Sequence, residues 1–288
     1  MVFLSYGRRV FYVFMAGFLL LFVSCEKRKT VLKSPPHYNF QQAQETKLEL
    51  AIKEISGLAW DGTNNMFLAH NDESGKIFFL DRDSKKIIKQ VNFGGKGDYE
   101  DIAMVGTVPH VLKSDGTIYR VNIDSSGGLQ AQADELGKLS IEGAVDFETM
   151  YYDSTRRALI LICKNCKMDN KATVSAFAYY LDSTGFDPNP VYRINADAVD
   201  SLSPKETSKL QPSAARIHPR LGKLFIISSA ANLLVVTSLN GEVESVHRLA
   251  PKMFPQPEGL AFNKTGDMYI SNEGVTGHST ILRFTFIR

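Results

Sequence analysis

Five stretches of this chain repeat one pattern, and the repetition limits the fold more than any other feature. They read EISGLAWD (54–61), DYEDIAMV (98–105), DFETMYYD (146–153), QPSAARIH (211–218) and QPEGLAFN (256–263). In register, one polar position recurs as Ser56, Glu100, Glu148, Ser213 and Glu258, at separations of 44, 48, 65 and 45 residues. Self-similarity at about 40–50 residues is the spacing of propeller blades.

Each stretch leads into a second strand that is apolar and then polar (MFLAHNDESG, PHVLKSDG, ALILICKNC, LFIISSAAN, MYISNEG). A third, alternating strand follows (KIFFLDRD, TIYRVNID, VSAFAYYLD, NLLVVTSLNG, TILRFTF), and in several repeats a fourth, such as KIIKQVNF and EVESVHRL. Turn residues (DGTNN, SDG, LNG) separate them, as hairpins require. Four short antiparallel strands per radial repeat define a β-propeller, so the expectation is an all-β, five-bladed propeller. The fifth repeat ends after three strands, while ETKLELAI (45–52) precedes the first repeat without a partner. That N-terminal stretch is expected to close the last blade, which removes two exposed sheet edges. The long gap at 183–210 contains SPKETSKL (203–210); Ser203 as N-cap, Pro204 and Glu206 predict a short helix or lid there.

The start of the chain has a different character. Arg8 and Arg9 precede the uncharged run VFYVFMAGFLLLFV (10–23). The run is short of the roughly 20 residues that a membrane span needs, and its basic flank reads as a secretory signal peptide. It ends in FVSC, which resembles the lipobox of bacterial lipoproteins, with lipidation on Cys25; Phe22 departs from that pattern. The expected organisation is a signal peptide at 1–24, a lipidated Cys25 and tether at 25–40 carrying Pro35-Pro36, and one propeller domain at 41–288. The protein is then extracytoplasmic and lipid-anchored to a bacterial membrane, at the outer membrane or the periplasmic face, and monomeric. Net charge is +2 with no basic half, so nucleic acid has no electrostatic footprint.

The blocks SGLAWD…MFLAHND…KIFFLD, DYEDIAM, DFETMYY and PEGLAF…MYISNEG together resemble the SdiA-regulated family over roughly residues 48–288. These are bacterial exported or membrane-tethered propellers, distantly similar to NHL-repeat proteins. The resemblance implies a five-bladed propeller with a calcium site and no established activity. Ser56 and Ser213 stand where the other repeats have Glu.

Inner strands line a propeller's channel, so Glu100, Glu148 and Glu258 should converge at one end. Two carboxylates about 6 Å apart repel by roughly 3 kcal/mol at an effective dielectric near 20. Relief comes from raised pKa values, cationic neighbours or a bound cation. A hard cation such as Ca²⁺ suits three Glu with Ser hydroxyls and an amide; Asn272, ending the second strand of its blade, is the candidate extra ligand. Lys113, Lys164 and Arg216 are the alternative, a purely architectural charge network. Asp61 and Asp153 read as turn caps, His218 as a turn residue and Trp60 as packing between blades. Cys163 and Cys166 form a C-x-x-C that ends a strand, which suits a structural disulfide or two thiols better than redox catalysis. Nucleophile, P-loop and Rossmann motifs do not occur.

The expected function is therefore a calcium-binding module for a small-molecule or protein ligand at the channel mouth. The alternative is a metal-dependent hydrolase, lactonase-like or esterase-like, with His70 or His278 as first candidates for a general base.

Overall fold

A computed structural model describes residues 33–124, 128–203, 209–274 and 277–288. Five antiparallel sheets follow one another along the chain. Blade one comprises Ile55–Asp61, Met66–Asn71, Ser74–Leu80 and Ile87–Lys96. Blade two comprises Tyr99–Val105, Val108–Lys113, Thr117–Ile123 and Ala131–Lys138. Blade three has Phe147–Asp153, Ala158–Cys163 and Thr173–Tyr180, and two short outer strands, Gly185–Phe186 and Tyr192–Asn195, share the last of these. Blade four comprises Ala214–Ile217, Leu224–Ser228, Leu233–Thr237 and Val243–Arg248. Blade five has Pro257–Phe262, Met268–Asn272 and Thr280–Phe284.

The ring closes as the repeat pattern requires. Gln44–Lys47 pairs antiparallel with the last strand, from Gln44 opposite Arg283 to Lys47 opposite Thr280. The strand is shorter than the stretch 45–52 suggests, because Leu50–Ile52 turns into a 3-10 helix that buries Ile52. Five apolar clusters occupy the five seams between neighbouring blades; Phe67, Leu58 and Tyr269 meet between blades one and five, for example. Each sheet thus buries both faces, which is why the central strands read as continuous apolar runs.

The chain joins the propeller earlier than residue 41. Tyr38 and Phe40 are buried among the aromatic rings of blades four and five. The Tyr38 hydroxyl contacts His218 Nε2 at 2.6 Å and donates to the Gly266 carbonyl at 2.6 Å. The last part of the expected tether is therefore docked, because two aromatic side chains bury more favourably than they hydrate. The signal peptide and Cys25 lie outside the described residues.

The long gap does carry a helix, ahead of the stretch 203–210. It spans Ala196–Leu202, with Asn195 Oδ1 accepting from Ala198 N, and Ser203 stands at its C-terminal end. Asn195 starts this helix because its side chain caps while Asp197 follows in the first turn, and the helix ends at Ser203 because Pro204 biases that residue away from helical geometry. Pro204 and Glu206 lie outside the described residues.

Candidate functional site

In four of the five inner strands the ladder slips by one residue at the same place. The irregularities fall between Ile55 and Gly57, Tyr99 and Asp101, Phe147 and Thr149, and Pro257 and Gly259. The extra residue in each is Ser56, Glu100, Glu148 or Glu258. A bulge breaks the in-out alternation and re-aims one side chain. Here it turns the aligned polar position toward the end of the channel instead of into a seam. Gly57 and Gly259 follow two of the bulges for steric reasons. A Cβ on Gly57 would lie 2.4 Å from His70 Nε2, and one on Gly259 would lie 2.3 Å from Ser271 Oγ.

Ser56, Glu100, Glu148 and Glu258 line one cavity of about 140 Å³, together with Glu54, Asp72, Gln256 and Glu273. Six carboxylates from blades one, two, three and five thus face a common space. Ser213, the fifth aligned position, lines the adjoining cavity beside Glu148 and Glu258 and donates to the Pro257 carbonyl at 2.9 Å.

The electrostatics follow from crowding. Burial, then the charge on Asp98, pushes the Glu100 carboxyl up to about 8. Burial, then the charge on Glu273, pushes Glu258 up to about 7. Asp72 and Glu273 are also raised, first by burial and next by Glu54 and Asp72 respectively. Lys164 forms an ion pair with Glu148. The site offers oxygen donors only. Among the described residues, the potential metal ligands that come in threes within 4.8 Å are Cys163, Cys166 and Asp169, so the axial carboxylates are not drawn into a tight cage. Mutual repulsion holds such groups apart until a cation or protons offset their charge.

Residues 33–275 match the SdiA-regulated family. The chain belongs to the SdiA-regulated family. No curated protein matches the sequence. Among solved structures, this SdiA-regulated protein is similar to a glutaminyl cyclase from Myxococcus xanthus. They share a TM-score of 0.55 and 12% identity over 85% of this chain and 97% of that one. A luciferin-regenerating enzyme gives 0.52 and 10%, over 84% and 95% of the two chains. A protein of unknown function from Bacteroides thetaiotaomicron VPI-5482 gives 0.52 and 15%, over 78% and 53%. At these identities the likeness concerns the propeller fold.

Not every expected residue of this SdiA-regulated propeller reaches the acidic mouth. Asn272 is buried outside the cavity lining, where its amide donates to Thr280 Oγ1 at 3.2 Å and to the Met253 carbonyl at 3.4 Å. The next residue, Glu273, lines the cavity instead. His70 is fully buried, with Nδ1 3.0 Å from the Asn71 carbonyl, and burial lowers its pKa. His278 Nδ1 lies 2.9 Å from the Leu48 carbonyl. Of the three candidate cations, Lys164 alone pairs with a ring glutamate. Lys113 lies 6.0 Å from the centre of the Tyr99 ring, and Arg216 belongs to a different group.

Arg216 plugs the axis. Its guanidinium donates to both oxygens of Asp101, at 2.7 and 3.0 Å, and to the carbonyls of Leu58, Ile102, Met150 and Ala215 at 2.6–3.0 Å. Four blades are thereby tied to one side chain. Asp101 also accepts the amides of Ile102 and Met150. Sequence reasoning passed over Asp101, although an acid inside the apolar run DIAM was the available signal. Asp61 and Asp153 accept turn amides, as expected of caps. Cys163 and Cys166 are joined in a disulfide.

Proposed function

We propose that this protein is an exported propeller, anchored by lipid on Cys25, that binds a hard divalent cation, calcium foremost, at its acidic mouth. Through that mouth it holds a small-molecule or protein ligand. The observation that carries the reading is the set of carboxylates turned into one cavity by bulges at equivalent positions, with a single lysine paired among them. Calcium takes six to eight oxygens, and Glu100, Glu148, Glu258 and Glu273 with the Ser56 hydroxyl and Gln256 amide supply that chemistry. Export is supported by the basic-apolar start, by Cys25 and by a disulfide suited to an oxidising compartment.

The binding reading is favoured over a hydrolase because neither His70 nor His278 lines the cavity, so neither stands where a base would meet a substrate on the ion. The similarity to a glutaminyl cyclase and a luciferin-regenerating enzyme reaches the fold alone.

Metal analysis and calcium calorimetry on the full-length chain test the proposal. Wild type is expected to bind calcium saturably, and Glu100→Gln or Glu258→Gln to weaken it by about tenfold or more. A wild-type protein indifferent to calcium overturns it, and the Lys164–Glu148 pair with protonated neighbours becomes the account of the site.

A further inference from the structure

We infer that the face of the ring opposite the acidic mouth carries a second site, for a small organic anion with an apolar or aromatic body. The inner strands run from the acidic mouth, past the Arg216–Asp101 plug, to this other end. Two cavities lie there, of about 260 and 400 Å³, and they share Trp60, Asn263 and Lys264. Together they fall in the size range of small-molecule sites.

The first cavity has Arg216 as its floor and Trp60, Met104, Tyr152, Ile217 and Phe262 among its walls. Its charged lining residues are Arg216 and Lys264, with no carboxylate. The second runs outward along the seam of blades one and five, past Arg82, Lys85 and Arg283. Asp83 pairs with Arg82, and Asp267 with Arg283. Among the described residues, neither Lys85 nor Lys264 is in contact with a carboxylate, although Asp83 and Asp81 act on Lys85 through space. Lys85 is only 6% exposed. Its ammonium donates to the Arg82 and Asp83 carbonyls and lies 5.0 and 5.4 Å from the centres of the Phe67 and Tyr269 rings. A buried cation held by dipoles and ring faces is a counter-charge in waiting.

Trp60 supplies a third element. Its indole N–H is buried without an acceptor. Gly62 lines the same cavity beside Nε1, where even a Cβ would make only an ordinary contact at 3.6 Å. An acceptor on a ligand satisfies a donor that is otherwise costly to bury. Apolar walls, cations at the junction and an orphan donor select an anion with a flat apolar part, whereas the other mouth repels one.

Trp60 is the single tryptophan of the chain, so its emission reports on this site directly. The probe is 8-anilinonaphthalene-1-sulfonate, titrated into the full-length chain, with energy transfer from Trp60 as readout. Saturable transfer at one probe per chain is expected. Lys264→Glu should weaken it by about tenfold, and Lys264→Arg should restore it. The uncharged N-phenyl-1-naphthylamine should bind more weakly and be indifferent to Lys264→Glu. Chelator and Glu258→Gln should leave the affinity unchanged, so this test and that of the acidic mouth fail separately. Absence of saturable transfer overturns the inference. So does equal binding of charged and uncharged probes, or loss of transfer on calcium removal.

Discussion

The Arg216 guanidinium and the Asp101 carboxylate meet at the axis of the ring in two contacts, NH2 to Oδ1 at 2.7 Å and NH1 to Oδ2 at 3.0 Å. Asp101 is fully buried and the Arg216 side chain 12% exposed. The pair lies between the acidic mouth and a cavity whose charged lining residues are Lys264 and Arg216 itself. It fixes blade two to blade four, 115 residues apart in sequence.

Removing one partner should be costly. Asp101→Ala leaves the guanidinium buried without its counter-ion and is expected to lose about 3–5 kcal/mol in denaturant unfolding. Asp101→Ala with Arg216→Met should lose less than the two single variants summed, because the stranded charge is gone.

Calcium-free protein should become less stable as pH rises. The folded values of Glu100 and Glu258, about 8 and about 7, lie above their ordinary 4.5. Between those limits the folded chain binds more protons than the unfolded one, so stability falls with rising pH across the window. Above about pH 6.5, where the buried histidines are neutral folded or unfolded, thermal midpoints of chelated protein should decline toward pH 8, and Glu100→Gln or Glu258→Gln should flatten the decline. Wild-type midpoints that stay level over this range contradict the prediction.

The docked N-terminal segment predicts the opposite slope at acid pH. Burial lowers His218 from 6.5 to about 4. The unfolded chain then takes up the proton first as pH drops, so stability is lost from about pH 6.5 down through 4. Tyr38→Phe removes the hydroxyl from His218 and Gly266 and should cost about 1 kcal/mol or more at neutral pH, read by denaturant midpoint.

The Cys163–Cys166 disulfide closes a small loop, with a sequence separation of 3. Chain entropy assigns such a loop about 2 kcal/mol. Reduced wild type should unfold earlier than oxidised wild type by about that amount, and Cys163→Ala with Cys166→Ala should erase the response to reductant.

Architecture was far more legible in the sequence than the site. Repeats at near-constant spacing could be aligned without knowing any contact, and their missing last strand pointed to the N-terminal stretch. Ser56, Glu100, Glu148 and Glu258 gather because a shared position in a radial repeat is a shared place in space. Asp72 and Glu273 were legible in principle: each follows the Asn that ends the second strand of its blade. Asp101 was harder. Strict alternation assigns it to the face opposite Glu100, and only the bulge lets neighbouring acids serve the mouth and the plug. The helix Ala196–Leu202 was not read because Ser203 drew the reading of a cap, although Asn195 followed by Asp197 is an equally good start.

The four residues Gln44–Lys47 join the beginning of the propeller to its end. His37 and Ile287 add a reciprocal pair of contacts, Ile287 N to the His37 carbonyl at 2.8 Å and His37 Nδ1 to the Ile287 carbonyl at 2.9 Å. The ring therefore completes itself only when both strands are present, and so long-range a pairing is slow to find. The same arrangement sets a mechanical order. Tension applied from the N-terminal side meets the His37 contacts before Tyr38 and Phe40, then peels the short rim strand away and opens the circle at blade five.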